Sequence, residues 1–116
     1  MIFTLDHEFT KLCKRTVKAW GVETQLRLLQ EECGECVAAI NRFARGRDET
    51  RSQLAGEVAD VIISALQVYT ILGGLQVYNE INNKLVRLRS KLDLHDKNVI
   101  LERETDYNTD LINDGG

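Results

Sequence analysis

Two pairs of acidic residues, each spaced three residues apart, are the part of this sequence best suited to chemistry. Glu32 and Glu35 form the first pair, within the stretch EECGE, and Glu57 and Asp60 form the second, within EVAD. Residues i and i+3 lie on one face of an α-helix, so each pair presents two carboxylates to a common ligand. Carboxylate oxygens are the ligands that hard divalent cations such as magnesium or manganese prefer. The spacing therefore indicates a candidate metal site.

Both pairs border an apolar stripe, and the short linker between the two helices predicts that these helices pack antiparallel and bring the pairs together. Four facing carboxylates repel one another and raise each other's pKa unless a cation lies between them. A single pair of this kind is common on a solvated helix surface, so the argument depends on two pairs occurring together. A di-iron bundle is a poor alternative because it requires Glu-x-x-His. Neither His7 nor His95 follows a glutamate by three residues.

Four predicted helices position these residues. The sequence contains no proline, so glycines and polar clusters mark the breaks. Asp6 is the predicted N-cap of the first helix, Gly46 ends the second, and Thr50 with Gln53 forms a capping box for the third. The third helix is apolar nearly all round over residues 61–72 and is expected to lie centrally. Apolar residues at spacings of three and four predict the helices over residues 6–20, 22–45, 51–72 and 75–92.

Four helices with short connections predict an all-α fold, a four-helix bundle. The predicted helical domain covers residues 1–92. Residues 93–116 have little periodicity and are expected to be a C-terminal extension, either flexible or packing on a partner chain. Cys33 and Cys36 occupy positions in the apolar stripe of the second helix, and core packing is favoured over a redox or zinc site.

The composition excludes several classes of protein. A chain of 116 residues with 43% hydrophobic and 28% charged residues is one globular domain. The net charge of −3 argues against a protein that binds nucleic acid as a polymer. No apolar run is expected to span a membrane, and the N-terminus lacks the plan of a signal peptide. With three cysteines, an odd number, the chain is expected to be cytoplasmic.

The order of motifs resembles the MazG-like nucleoside triphosphate pyrophosphohydrolases of the all-α NTP pyrophosphatase superfamily. The resemblance is carried by EECGE, by EVAD after 21 intervening residues, and by NNKLVRLR in the last helix, and it covers roughly residues 20–92. In that family the second and third glutamates of EExxE and both acids of ExxD bind magnesium. The resemblance thus implies metal-binding and catalytic roles for Glu32, Glu35, Glu57 and Asp60.

Other residues acquire expected roles from their position beside these motifs. Family members often carry Asn-x-Lys and a downstream arginine that approach the nucleotide phosphates, which implies this role for Asn82, Lys84 and Arg87. On the residues alone, the lysine and the arginine equally fit a solvated helix face. Glu31 points about 100° away from the next glutamate on a helix. It is a candidate for an acid behind the metal ligands, a base that activates water, or a partner of a surface arginine.

Trp20 and Gln25 precede the first acidic motif closely enough to line a nucleobase pocket. The indole of Trp20 offers a stacking surface for the base, although a tryptophan in this place is more often a core residue. These two residues are therefore candidates for substrate binding.

The resemblance implies magnesium-dependent hydrolysis of a nucleoside triphosphate between its α and β phosphates, which gives the monophosphate and pyrophosphate. The implied purpose is house-cleaning of the nucleotide pool. Related alternatives are a phosphoribosyl-ATP pyrophosphatase and a dUTP or dCTP pyrophosphatase, and the non-enzymatic alternative is a helical oligomerisation module. Family members assemble as oligomers, and the apolar third helix also favours a homodimer or a homotetramer.

Overall fold

The structure is a computed structural model that describes residues 7–46 and 50–114, with side chains to residue 106. Within these ranges it contains four α-helices and no β-strand, so the predicted all-α fold class is confirmed. The chain divides into two compact units, Met1–Val77 and Tyr78–Gly116. The helices are α1 (His7–Trp20), α2 (Val22–Ala44), α3 (Arg51–Leu72) and α4 (Gly74–Asp114).

The helix ends in the first unit follow local chemistry. The backbone N–H of Gln53 donates to Thr50 Oγ1 at 3.1 Å, and the backbone N–H of Thr50 donates to Gln53 Oε1 at 2.7 Å. This reciprocal pair confirms the capping box and begins α3 at Arg51 as predicted. Gly46, with a φ of 66°, follows the end of α2 in the left-handed conformation that favours glycine. The predicted N-cap at Asp6 lies outside the described residues.

In the first unit, α2 packs along α3, and α1 packs against both. Cys33 does not contribute to this core as expected, because it is exposed, and Cys36 is only half-buried. The Ser64 hydroxyl donates to the backbone carbonyl of Asp60 at 2.7 Å, which satisfies it inside the helix. The residues buried among the three helices are Phe9, Cys13, Gln25, Ala39, Ser64 and Val68.

Helix α3 is less central than its sequence predicts. Of its described residues only Ser64 and Val68 are buried, whereas Ile62 and Leu72 are 47% and 58% exposed. The expectation was wrong because α1 and α2 cover only part of its circumference. By length and composition alone, α3 is also apolar enough to cross a membrane, contrary to the sequence expectation. A helix in the core of a soluble protein can have the same length and apolar composition.

In the second unit, α4 continues to Asp114 and does not end near Leu92 as predicted. The apolar spacing weakens after residue 92, but no glycine or proline interrupts residues 75–114, and helix-favouring residues such as lysine, glutamate and leucine continue. The described side chains of this unit, residues 78–106, are exposed, apart from the half-buried Val99. The division of the chain at residue 92, and the flexible or partner-bound state of the C-terminal extension, stay predictions.

Candidate metal centre

Three carboxylates from two helices meet in the first unit. Glu32 and Glu35 on α2 and Glu57 on α3 each place a carboxylate oxygen within 4.8 Å of the others. The i,i+3 spacing puts the two glutamates of α2 on one face, and the packing of α2 on α3 brings the third opposite them. The sequence prediction that the two acidic motifs converge is thereby fulfilled for these three residues.

Two of these carboxylates have an oxygen that is shielded from water and unsatisfied. Glu32 and Glu57 are half-buried, and neither Glu32 Oε2 nor Glu57 Oε2 has a hydrogen-bond partner among the described residues. Leaving a buried polar atom without a partner typically destabilises a protein by about 1–3 kcal/mol, and by more when the group is charged. Oxygen atoms from several carboxylates are what a hard divalent cation requires. The donor set therefore fits magnesium or manganese.

The electrostatics of the cluster are consistent with this fit. The pKa of Glu32 is raised above its ordinary value, first by desolvation and then by the charges of Glu35, Asp60, Glu57 and Glu31. All four neighbours are acidic, so the charged form of Glu32 is disfavoured in the absence of a cation. A divalent ion among these groups would reverse that preference.

Asp60 and Glu31 lie beside the three-carboxylate group and are not part of it. Asp60 is exposed, and its charge acts on Glu32, but its carboxylate is not among those that meet within 4.8 Å. Glu31 is exposed as well, and its effect on Glu32 is the smallest of the four. Asp60 as a metal ligand and Glu31 as an acid or base stay predictions.

The two residues predicted to line a nucleobase pocket differ in accessibility. Trp20 is 65% exposed, whereas Gln25 is 1% exposed and its Oε1 has no hydrogen-bond partner among the described residues. Only the tryptophan therefore offers accessible surface to a ligand. A cavity of about 240 Å³ nearby is lined by Lys14, Val17, Val22, Thr70 and Ile71. Neither predicted residue lines this cavity.

The predicted phosphate-binding residues lie on α4, in the second unit, where all three are exposed. Because α4 is continuous through this region, Asn82 and Lys84 project about 160° apart around the helix axis. Lys84 and Arg87, at i,i+3 spacing, share a face. The helix thus brings the lysine and the arginine together and directs the asparagine elsewhere.

One buried polar residue, Gln67, was not indicated by any sequence pattern. Gln67 Oε1 is buried without a partner in the described structure, as is Gln25 Oε1. Gln67 lies seven residues after Asp60, and Gln25 lies seven residues before Glu32, so each occupies the same helical stripe as an acidic residue, two turns away. This seven-residue spacing was the only sequence feature that could have indicated the two glutamines. An isolated glutamine on an apolar helix does not otherwise attract attention.

These features define a class: an all-α protein in which a pair of packed helices concentrates carboxylates suited to a divalent cation. The family model of the MazG nucleotide pyrophosphohydrolase domain matches residues 21–99, which is more than half of the chain. The chain therefore belongs to the MazG nucleotide pyrophosphohydrolase family, whose members act on nucleotides and typically depend on a divalent metal. No curated protein and no solved structure matches it significantly.

Proposed function

We propose that this protein hydrolyses nucleoside triphosphates, deoxy or ribo, at the α–β bond in the presence of magnesium, releasing the monophosphate and pyrophosphate. The observation that carries the proposal is the pair of shielded, unpartnered oxygens on Glu32 and Glu57, which lie with Glu35 inside a MazG domain. A triphosphate arrives with magnesium already bound to it, and these oxygens would complete the coordination of that ion.

Each acidic residue has a distinct part in the proposed reaction. Glu32, Glu35 and Glu57 would hold the cation, and Asp60 would add negative charge or a further ligand at its edge. Magnesium, when bound there, neutralises phosphate charge and lowers the pKa of a coordinated water. Glu31 is close enough to influence Glu32 and is the candidate acceptor for the proton that the attacking water loses.

The cationic residues of α4 supply charge of the opposite sign. Lys84 and Arg87 share one face of the helix and would stabilise the charge that develops on the phosphates. Asn82 projects to the other side of α4, so it would act on a different part of the substrate or on another subunit. Trp20, which is largely exposed, is the proposed stacking surface for the nucleobase.

Two related activities and one non-enzymatic role are the alternatives. Phosphoribosyl-ATP pyrophosphatase and dUTP or dCTP pyrophosphatase activity would use the same acidic cluster and differ in how the base is recognised. A helical oligomerisation module would carry the acids only as solvated surface groups. The shielding of Glu32 Oε2 and Glu57 Oε2 favours an enzyme, because a solvated surface acid keeps both oxygens in water.

In this proposal the protein is a cytoplasmic homodimer or homotetramer that removes unwanted nucleotides from the nucleotide pool. The exposed apolar side chains of α2 and α3 support association, because surfaces of this kind are usually covered. Among them, Val37 is 59% exposed, Ile40 48% and Ile62 47%. The mass of the protein in solution tests the oligomeric state.

A substrate screen tests the activity. Canonical and modified ribo- and deoxynucleoside triphosphates are incubated with the protein and magnesium, and the released pyrophosphate is quantified. Activity on a subset of bases, with pyrophosphate and not orthophosphate as product, supports the proposal. Orthophosphate as the product rejects cleavage at the α–β bond. No turnover with any triphosphate, while magnesium leaves the melting temperature unchanged, rejects the proposal in favour of the oligomerisation module.

A further inference from the structure

A stripe of seven residues runs along α4 at spacings that alternate between three and four. This alternation averages 3.5 residues, which is the repeat of a coiled-coil seam. The stripe covers 21 residue steps, or about 32 Å of helix. It continues past Leu92, where the sequence appeared to lose its periodicity. We call this stripe the α4 seam; its residues are Tyr78, Ile81, Leu85, Leu88, Leu92, His95 and Val99.

The α4 seam is exposed along most of its length. Ile81 is 46% exposed, Leu85 55% and Leu92 54%, and only Val99 is half-buried. Contiguous apolar surface of this kind marks a place where another molecule binds. Other apolar residues of α4, such as Leu94, lie on the opposite side of the helix, where charged residues interrupt them. The regular surface is therefore the seam alone.

The charges beside the seam distinguish two ways of pairing it with a copy of itself. In a parallel pair, opposite flanks of the two helices meet, with an offset of five residues. Lys84 would then face Arg89 of the partner subunit, a like-charge contact that occurs twice by symmetry. Lys91 would face Asp96 of the partner subunit, an opposite-charge contact that also occurs twice. His95 would also face the partner's His95 within the seam. The flanking residues are Asn82, Arg89 and Asp96 on one side and Lys84, Lys91 and Asn98 on the other.

An antiparallel pair removes these conflicts. With its centre between residues 93 and 94, the same flanks of the two helices face each other. Arg89 then lies opposite the partner's Asp96, twice by symmetry, and Lys91 lies opposite the partner's Asn98. Within the seam, His95 meets Leu92 of the partner subunit instead of a second histidine. Among these flanking residues, the antiparallel pair therefore makes two opposite-charge contacts and no like-charge contact, whereas the parallel pair makes two of each.

We propose that the α4 seam pairs with the α4 seam of a second copy of this chain in antiparallel orientation, as a two-stranded coiled coil. The interface extends over residues 78–99, and Glu102, at the next seam position, ends it. The proposal is independent of the acidic cluster, since none of its residues belongs to that site. It assigns residues 93–99 to an ordered interface between subunits.

Distances between spin labels in the full-length protein test the pairing. A nitroxide amino acid is incorporated at Ser90 or at Glu104, both of which occupy the outer side of α4 relative to the seam. In the antiparallel pair, the two Ser90 labels are offset along the axis by about 10 Å and the two Glu104 labels by about 31 Å. A parallel pair gives the same separation at both positions. Electron–electron double resonance measures both separations.

Matched substitutions on the two sides of α4 complete the test. Leu92→Asp, in the seam, is expected to eliminate both distances, whereas Leu94→Asp, the same change on the opposite side, leaves them intact. If Leu92→Asp lowers the helix content measured by circular dichroism, Val99→Asp near the end of the seam replaces it. Equal separations at the two label positions, the absence of any intermolecular distance, or retention of both distances in a folded seam variant would each overturn the proposal.

Discussion

The acidic cluster between α2 and α3 and the α4 seam each have groups without a binding partner in the described part of the chain. In the cluster these groups are charged oxygens, and along the seam they are apolar side chains. Between α2 and α3, Glu32 and Glu57 have carboxylate oxygens that are shielded from water and unpaired among the described residues. Along α4, Leu85 and Leu92 are apolar and more than half exposed. A shielded charge is stabilised by a cation, and an exposed apolar stripe is stabilised by a second apolar surface. Electrostatic attraction would therefore stabilise a cation at the acidic cluster, and the hydrophobic effect would stabilise a second apolar surface on the α4 seam.

The two regions should consequently respond to different experimental variables. Magnesium and pH act on the acidic cluster, while protein concentration acts on the seam. Substitutions chosen to affect one region without the other can therefore sharpen or contradict the comparison.

The largest effect is expected from removing a charge at the acidic cluster. Glu35→Gln and Asp60→Asn should each lower the rate of pyrophosphate release by on the order of a hundredfold or more, because a metal ion contributes several kcal/mol of transition-state stabilisation. Glu80→Gln, the same chemical change at an exposed position of α4, is the control and should retain activity. Full activity in both cluster variants, with unchanged circular dichroism, would show that these acids do not hold the metal.

A smaller effect is expected from the cationic face of α4. Lys84→Met should lower kcat/KM by on the order of tenfold to a hundredfold, since one charge that stabilises the transition state is lost. Lys97→Met on the same helix is the matched control. Steady-state kinetics of pyrophosphate release compares the two variants. Equal rates would leave Lys84 as an ordinary solvated residue.

The next effect concerns stability with and without metal. Magnesium at a hundredfold excess over its dissociation constant raises the free energy of unfolding by about 2.7 kcal/mol when it binds only the folded protein. Glu32→Gln should abolish this increase and also raise the melting temperature of the metal-free protein, because the repulsion from Glu35 and the other acids disappears. Differential scanning calorimetry measures both changes, and Glu80→Gln should show neither. A metal-dependent increase that survives in Glu32→Gln contradicts the assignment.

The pH dependence of the metal-free protein depends on the same residue. The pKa of Glu32 in the folded protein lies above its ordinary value of 4.5, so protonation favours the folded state. This contribution to stability is fully present below the ordinary value and is lost as the pH rises through the raised pKa. The melting temperature should therefore fall over that interval, and it should fall less in Glu32→Gln. Identical pH profiles for the two proteins would contradict the sign of this argument.

The smallest effect is expected at a site that belongs to neither region. Thr50→Ala removes the side chain that accepts from the Gln53 backbone N–H at 3.1 Å. The loss of an N-cap of this type lowers the free energy of unfolding by about 1 kcal/mol. Denaturant titration should give the same loss with and without magnesium, because the cap does not contact the cluster. A loss that depends on magnesium would show that the start of α3 and the acidic site are coupled.

The features predicted correctly from the sequence are those determined by neighbouring residues. The capping box at Thr50 and Gln53 begins α3 at the predicted position, and Gly46 follows the end of α2. The convergence of Glu32, Glu35 and Glu57 needed only the i,i+3 spacing and one short connection between two helices. Local geometry of this kind is readable from a sequence because few alternative conformations compete with it.

The features predicted poorly depend on what covers each helix. The apolar pattern of α3 suggested a central helix, yet Ile62 is 47% exposed, because a pattern shows that a surface is apolar but not whether another element reaches it. The length of α4 was underestimated because the stripe position after Leu92 is His95, a polar residue, so the continuation of the stripe to Val99 is inconspicuous in the sequence. Gln67 was missed because a buried polar atom is visible only when its surroundings are known.

The short connection between α2 and α3 has a consequence for the order of assembly. All the acids of the proposed metal site lie within 29 consecutive residues, from Glu32 to Asp60. Contacts between residues close in sequence form quickly, because little chain entropy is lost in closing the loop between them. The cluster can form in a single molecule at any dilution, whereas pairing of the α4 seams is second order in protein. A newly synthesised chain would therefore complete its metal site first and find its partner later.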